Sequence, residues 1–278
     1  MELYNRNALV CSIVTTKNYS TSFSLAVRLL DKKIQLPIYA LYGFVRYADE
    51  IVDTLHTFDK HALLKKFKED TYSAIEMKVS INPILHSFQQ IVHQYKIEQT
   101  HIEAFFFSME MDLYDQQYDK LNYEKYIYGS AEVVGLMCLR IFYPYDDIAY
   151  NNLKLPAQKL GQAFQKINFL RDLENDYTHL GRTYFPNIDF NNFKKSDKEQ
   201  IENEISSDFQ QALLGIKELT SEFQLGVYLA YSYYWSLFKK IKKAHPKQII
   251  KQRFRINNPL KIVILITCYF KYKLGLVN

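Results

Sequence analysis

The chain has 278 residues, only 8 Gly and 7 Pro, and a formal net charge of +5 at pH 7. Apolar residues recur at helical spacing throughout, which excludes a many-turned β fold and predicts an all-α one, with length for one large domain or two small ones. Cys11, Cys138 and Cys268 are far apart and form no CxxC or Cys/His metal spacing, which excludes a disulfide scaffold and a zinc module and reads as free thiols in a reducing compartment.

The N-terminus lacks the charged start, apolar core and cleavage site of a signal peptide. No apolar run approaches the ~18 residues that a membrane-spanning helix needs. A cytoplasmic protein is expected. From Lys239 onward there are eleven Lys and Arg and no Asp or Glu. Such a stretch is a solvated face, an attraction to the anionic inner face of a membrane, or part of an anionic substrate site. No nucleic-acid motif accompanies it, so no nucleic-acid partner is expected.

Taken in order, Tyr19–Leu30 reads as a polar start followed by a helix. Ser20, Thr21 and Ser22 there serve as caps, or as hydrogen-bond partners of an anion. Pro37 opens the next helix, on which Tyr42, Arg46, Asp49 and Asp53 step by 4, 3 and 4 along one face. Residues 59–97 form two amphipathic helices parted near Asn82–Pro83. His86 and His93 lack a ligand pattern and read as packing or surface residues. Thr100–Tyr118 continues as a helix whose Phe105, Phe106, Met109 and Leu113 form a core face or line an apolar tunnel. Asp112 and Asp115 read as ordinary exposed acids. Tyr123–Tyr143 carries small residues at Gly129, Ser130, Ala131 and Gly135, which allow close helix approach or leave room for a ligand.

Leu155–Pro186 organises the rest. Pro156 suits the first turn of a helix and Gly181 its end. Gly161, Gln165, Asn168, Asp172 and Asp176 share one face of an otherwise apolar helix. That face is either solvated or a site. Two carboxylates a turn apart in apolar surroundings repel and lose solvation, and a hard cation relieves both costs. Two such stripes, the first on the Asp49 helix, can face each other across a cavity, with Mg²⁺ between them and diphosphate completing its shell. Gly181–Pro186 then breaks the helix and sets Arg182 to pair with an anion near Asp176. Helices follow over about 196–219 and 221–245, and a last amphipathic helix starts near Pro259. No linker or repeat divides the chain, so a single domain over 1–278 is expected.

Two stretches carry a family resemblance: DEIVD at Asp49–Asp53, preceded by Arg46, and NFLRDLENDYTHLGRTYFP at Asn168–Pro186. With Ser20-Thr21-Ser22-Phe23, Tyr128-Gly129, Tyr234 and Arg253-Phe254-Arg255, the chain resembles the squalene/phytoene synthase family. The resemblance implies one all-α domain, an isoprenoid-synthase helical bundle around a central cavity, and Mg²⁺- or Mn²⁺-dependent head-to-head coupling of two allylic diphosphates. It implies Asp49, Asp53, Asp172 and Asp176, with Asn168, as metal ligands, and the four aspartates with Tyr128 as catalytic residues. Diphosphate would meet Ser20, Ser22, Arg46, Arg171, Arg182, Arg253 and Arg255. The prenyl chains would lie near Phe23, Tyr42, Tyr128, Gln165 and Tyr234. The leading expectation is phytoene from two geranylgeranyl diphosphates through a cyclopropylcarbinyl diphosphate, without NADPH. Squalene or dehydrosqualene from farnesyl diphosphate is the alternative, squalene requiring NADPH. Prenyl diphosphates, downstream carotenoid enzymes and peripheral contact with the inner membrane face are the partners implied. A non-catalytic scaffold is disfavoured because all four aspartates stand, and a terpene cyclase by the paired DxxxD motifs and the RxYFP ending.

Overall fold

A computed structural model describes residues 1–114, 118–178 and 183–277, with all side chains in these stretches except those of 175–178. The architecture is all-α, and thirteen α-helices are found among the described residues. Helix α1 (Glu2–Tyr19) was not marked in the sequence as an element. It is tied to α5 (Pro83–Tyr95) by Ser12–Ser87 at 2.8 Å and His86–Asn5 at 2.9 Å, so His86 is a packing residue. Ser20 ends α1 and caps α2 (Thr21–Val27), its hydroxyl accepting from the Phe23 amide at 3.2 Å.

Helix α3 runs Lys32–Asp53, with Asp31 accepting from the Lys33 amide at 2.8 Å as its cap. Pro37 therefore lies inside the helix and does not open it. A side-chain cap fixes the start, and proline so close to it leaves one carbonyl without its helical donor. Helix α4 (Lys60–Met77) and α5 meet at the expected break, with Asn82 capping α5. Helix α6 (Gln99–Tyr114) stops short of Tyr118, the expected end.

Helix α7 (Lys120–Ile127) passes through a π-helical segment (Tyr128–Glu132) into α8 (Val133–Phe142). Gly129 packs on Ala104 and Ser108 of α6, and a Cβ at Gly161 would come within 2.6 Å of the Ala131 carbonyl. The small residues thus serve close helix approach, as one expected reading held. Helix α9 (Asp147–Thr178) has 32 residues, about 48 Å. It begins well before Pro156, which sits inside it against Gly215 of α10 (Lys195–Glu218). The missing side chain at Gly215 gives the proline ring its space, and tertiary packing holds a helix that proline alone would start or break. Helices α11 (Ser221–Lys243), α12 (Pro246–Ile249) and α13 (Asn258–Lys273) complete the chain.

Two apolar cores flank the region of interest. In one, Phe44 of α3 stacks on Phe88 at 3.8 Å and meets Phe105 and Phe106, so the aromatic face of α6 is core. In the other, Phe169 of α9 stacks on Tyr184 at 4.1 Å beside Tyr126 and Phe185. Helix α8 packs on both α3 and α9 and so sets the two aspartate-bearing helices in one body.

Candidate active site

The last turns of α3 present Asp49, half-buried, and Asp53, exposed. Asp49 is pushed up to about 8, first by burial and then by the charges of Asp53 and Asp112, with Arg46 opposing. A carboxylate crowded by like charges in a poorly solvated place suits a divalent cation, which removes the cost of ionising it. Arg46 pairs with Glu50 and lies over the Tyr19 ring, 4.3 Å from its centre. Its Nε is buried without a hydrogen-bond partner, a donor fitted to an incoming anion.

Asp112 corrects the sequence reading of an exposed acid. It is only 6% exposed, and its carboxylate accepts from the Tyr126 hydroxyl at 2.8 Å. It also walls a cavity of about 300 Å³ with His56, Phe58, Lys60 and His61. A signal was present: Phe105, Met109 and Asp112 step by 4 and 3, placing the acid on the buried stripe of α6.

Across from α3, α9 carries Gln165, Asn168, Arg171 and Asp172. The Tyr234 hydroxyl donates to Asn168 Oδ1 at 3.2 Å, and the Tyr234 ring stacks on Phe164 at 3.8 Å. Asn168 Nδ2 in turn reaches Gln165 Oε1 at 3.4 Å. Arg171 Nε donates to both Asp172 oxygens at 3.1 Å, and Arg253 Nε lies 2.7 Å from Asp172 Oδ1. Asp172 thus sits between two guanidinium groups, a reserve of positive charge next to an acid.

Tyr42 joins the halves. Its hydroxyl is pushed up to about 12, first by burial and then by the charge of Asp49, with Arg46 and a Ser20 hydrogen bond opposing and Tyr234 adding to the rise. Phe23 stacks on the Tyr42 ring at 4.8 Å. The group of Ser20, Phe23, Tyr42, Arg46 and Asp49 and the group of Phe164, Asn168, Arg171, Asp172 and Tyr234 are thus linked by the electrostatic reach between Tyr42 and Tyr234. Ser22 is half-buried on α2 beside this group.

Other expected residues stand differently. Tyr128 opens the π segment and is 37% exposed, its hydroxyl pushed up first by burial and then by the charges of Glu132 and Glu98. Arg255 is exposed, and its carbonyl accepts from Lys240 Nζ at 2.8 Å. Asp176 continues the Asp172 row on α9, but its side chain lies outside the described residues, as do Gly181, Arg182 and Asp115. Among the described residues no three Asp, Glu, His or Cys side chains converge into a metal cage.

The squalene/phytoene synthase family model matches residues 16–259. A 4,4'-diapophytoene synthase from Staphylococcus haemolyticus is 29% identical over 203 residues, which are 69% of this chain and 67% of the relative. A 15-cis-phytoene synthase from a Paracoccus species is 28% identical over 60% of this chain and 56% of its own length. A presqualene diphosphate synthase from Rhodopseudomonas palustris is 29% identical over 60% and 58%. The last two matches thus span well under two thirds of those relatives. Among solved structures, a dehydrosqualene synthase in complex with ligand superimposes with a TM-score of 0.82 at 21% identity, over 97% of this chain and 98% of that one. Squalene synthase HpnC from Alicyclobacillus acidocaldarius gives 0.74 at 17% identity, over 90% and 97%.

Proposed function

Because the chain belongs to the squalene/phytoene synthase family, whose members are head-to-head prenyl diphosphate synthases, we propose that it couples two geranylgeranyl diphosphates into phytoene. One observation carries the reading: Tyr42 on the DEIVD helix lies within electrostatic reach of Tyr234, which donates to Asn168 on the second aspartate helix, and this supports the two helices acting on the same bound molecules.

The reaction asks little of a nucleophile and much of electrostatics, because its leaving group is diphosphate. Arg46, Arg171 and Arg253 receive the developing negative charge, Arg46 through its unpartnered Nε. Binding of diphosphate draws Arg171 and Arg253 away from Asp172, which frees that carboxylate as a ligand. Asp49, Asp53, Asn168, Asp172 and Asp176 would hold Mg²⁺, which when bound neutralises diphosphate charge as a Lewis acid. Phe23, Tyr42, Phe164 and Tyr234 offer ring faces to an allylic cation, whose charge they stabilise while they exclude water. The cation is captured by the double bond of the second donor, with loss of a proton, to give a cyclopropylcarbinyl diphosphate. A second ionisation releases the remaining diphosphate, and the rearranged cation loses a proton to give phytoene.

The staphylococcal relative favours a second reading with farnesyl diphosphate as donor. The test is incubation of purified protein and Mg²⁺ with each donor, with and without NADPH, and mass analysis of the extract. Phytoene from the longer donor alone supports the first reading, a farnesyl-derived hydrocarbon the second. A cyclopropylcarbinyl diphosphate as end product would mean that the second ionisation is missing.

A further inference from the structure

Helix α13 is apolar on both sides. Inward, Ile264 and Cys268 are buried against Ala26 of α2 and Leu229 and Tyr233 of α11. The seating is specific: the Tyr233 hydroxyl donates to the Lys261 carbonyl at 3.2 Å, and Lys261 Nζ to Thr21 Oγ1 at 2.6 Å. Outward, Ile262, Val263, Ile266, Tyr269, Phe270 and Leu274 are all exposed, Phe270 by 60%. At 100° per residue these six span about 140° of the helix surface. A surface helix of a water-soluble domain ordinarily turns charge to solvent on that side.

The charge around this face selects its occupant. Lys271 and Lys273 in the last turn of α13 are exposed, and no acid occurs from Lys239 onward. A second copy docking by the same face would bring the basic segment against itself. An anionic bilayer offers both complements, hydrocarbon for the apolar stripe and phosphate for the lysines. The helix is about 24 Å long, short of the ~30 Å hydrocarbon core, so it would lie in the plane of the interface.

We propose that the outward face of α13 is a membrane-docking surface that inserts its apolar stripe into an anionic leaflet, with the flanking lysines on the headgroups. Helices α2 and α11, which seat α13, also carry Phe23 and Tyr234 to the site. A bilayer there lies one helix layer behind the place where prenyl chains react. The docking stands on the surface alone. Only its use, passing apolar donors and a hydrocarbon product to and from lipid, rests on the proposed coupling reaction.

The test is co-sedimentation of the whole chain with vesicles of phosphatidylcholine, or of phosphatidylcholine with one third phosphatidylglycerol. Wild type should bind the anionic vesicles about ten-fold more tightly than the neutral ones, and retain part of that binding at high salt because insertion is not screened. The Ile266→Ser/Phe270→Ser variant should lose about ten-fold. Lys271→Gln/Lys273→Gln should weaken binding and flatten its salt dependence. Phe270→Trp should shift its emission to the blue on anionic vesicles only. Wild-type binding in the serine variant would overturn insertion, as would no binding by wild type. Self-association lost in the serine variant without vesicle binding would make the face an interface between copies and also overturn it. Turnover of detergent-dispersed donor should be unchanged in the serine variant. No product in detergent, with vesicle binding intact, would count against the coupling reaction and leave the docking surface standing.

Discussion

The Tyr234 hydroxyl of α11 donates to Asn168 Oδ1 of α9 at 3.2 Å and so fixes which edge of the amide faces the Asp172 carboxylate one turn on. Tyr234→Phe keeps the stack on Phe164 and removes only this bond, worth about 1 kcal/mol. Thermal stability should move by that amount or less. Turnover should fall about ten-fold, with a higher Mg²⁺ requirement, because an unfixed second partner typically costs 10–100-fold in metal affinity or activity. Unchanged Mg²⁺ dependence would remove Tyr234 from the site.

Asp49→Asn and Asp172→Asn should each lower turnover by about 100-fold or more, with helical content retained. Their stability effects should differ. Asp49 titrates in the folded chain at about 8 against an ordinary 3.8, so the folded state holds its proton longer and stability falls as pH rises through that window. Asp49→Asn should therefore raise the thermal midpoint of the metal-free protein at pH above about 8 and leave it unchanged in acid. Asp172→Asn removes the carboxylate that Arg171 and Arg253 share and should lower it.

With Asp49 as the proposed Mg²⁺ ligand, the ion would compete with a proton there, so calorimetric affinity for Mg²⁺ with diphosphate should rise with pH up to about 8. Asp112 contributes to that upward shift through its charge. Asp112→Asn keeps a partner for Tyr126 while removing the charge, so the same rise should occur at lower pH. An unmoved profile would separate Asp112 from the site electrostatically.

Glu98 is held down at about 2: burial pushes it up, but the His101 ring 3.2 Å away and the hydrogen bonds from Arg140 outweigh burial. A depressed folded value stabilises above the ordinary 4.5 and is lost as pH falls from there toward about 2. Glu98→Gln should lower the urea midpoint at neutral pH and abolish its decline across that acid window. Catalysis with detergent-dispersed donor should be unaffected.

What the sequence made legible follows from period. Helical spacing placed Asp49 with Asp53 and Asn168 with Asp172, because residues a turn apart must share a face. It could not pair Tyr42 with Tyr234, which sit on separate helices and come within electrostatic reach only through the packing of the fold. Nor did it give the starts of α3 and α9. Proline favours a first turn, but Asp31 capped α3 earlier and Gly215 made room for Pro156 inside α9. At Asp112 charge and register conflict: the carboxylate predicts exposure, but the register with Phe105 and Met109 buries it. The π segment arises where Gly129 and Ala131 are pressed between α6 and α9, a tertiary cause with no local signature.

The central claim is that both aspartate helices serve the joining of two prenyl diphosphates. The direct measurement gives purified protein and Mg²⁺ an equal mixture of deuterated and unlabelled geranylgeranyl diphosphate, repeated with farnesyl diphosphate, and reads product masses. Coupling predicts unlabelled, half-labelled and fully labelled hydrocarbon in about 1:2:1 proportion for the accepted donor, absent in Asp49→Asn and Asp172→Asn. Products carrying only one donor's carbon, whether prenol or cyclised terpene, or no product from either donor, would contradict it.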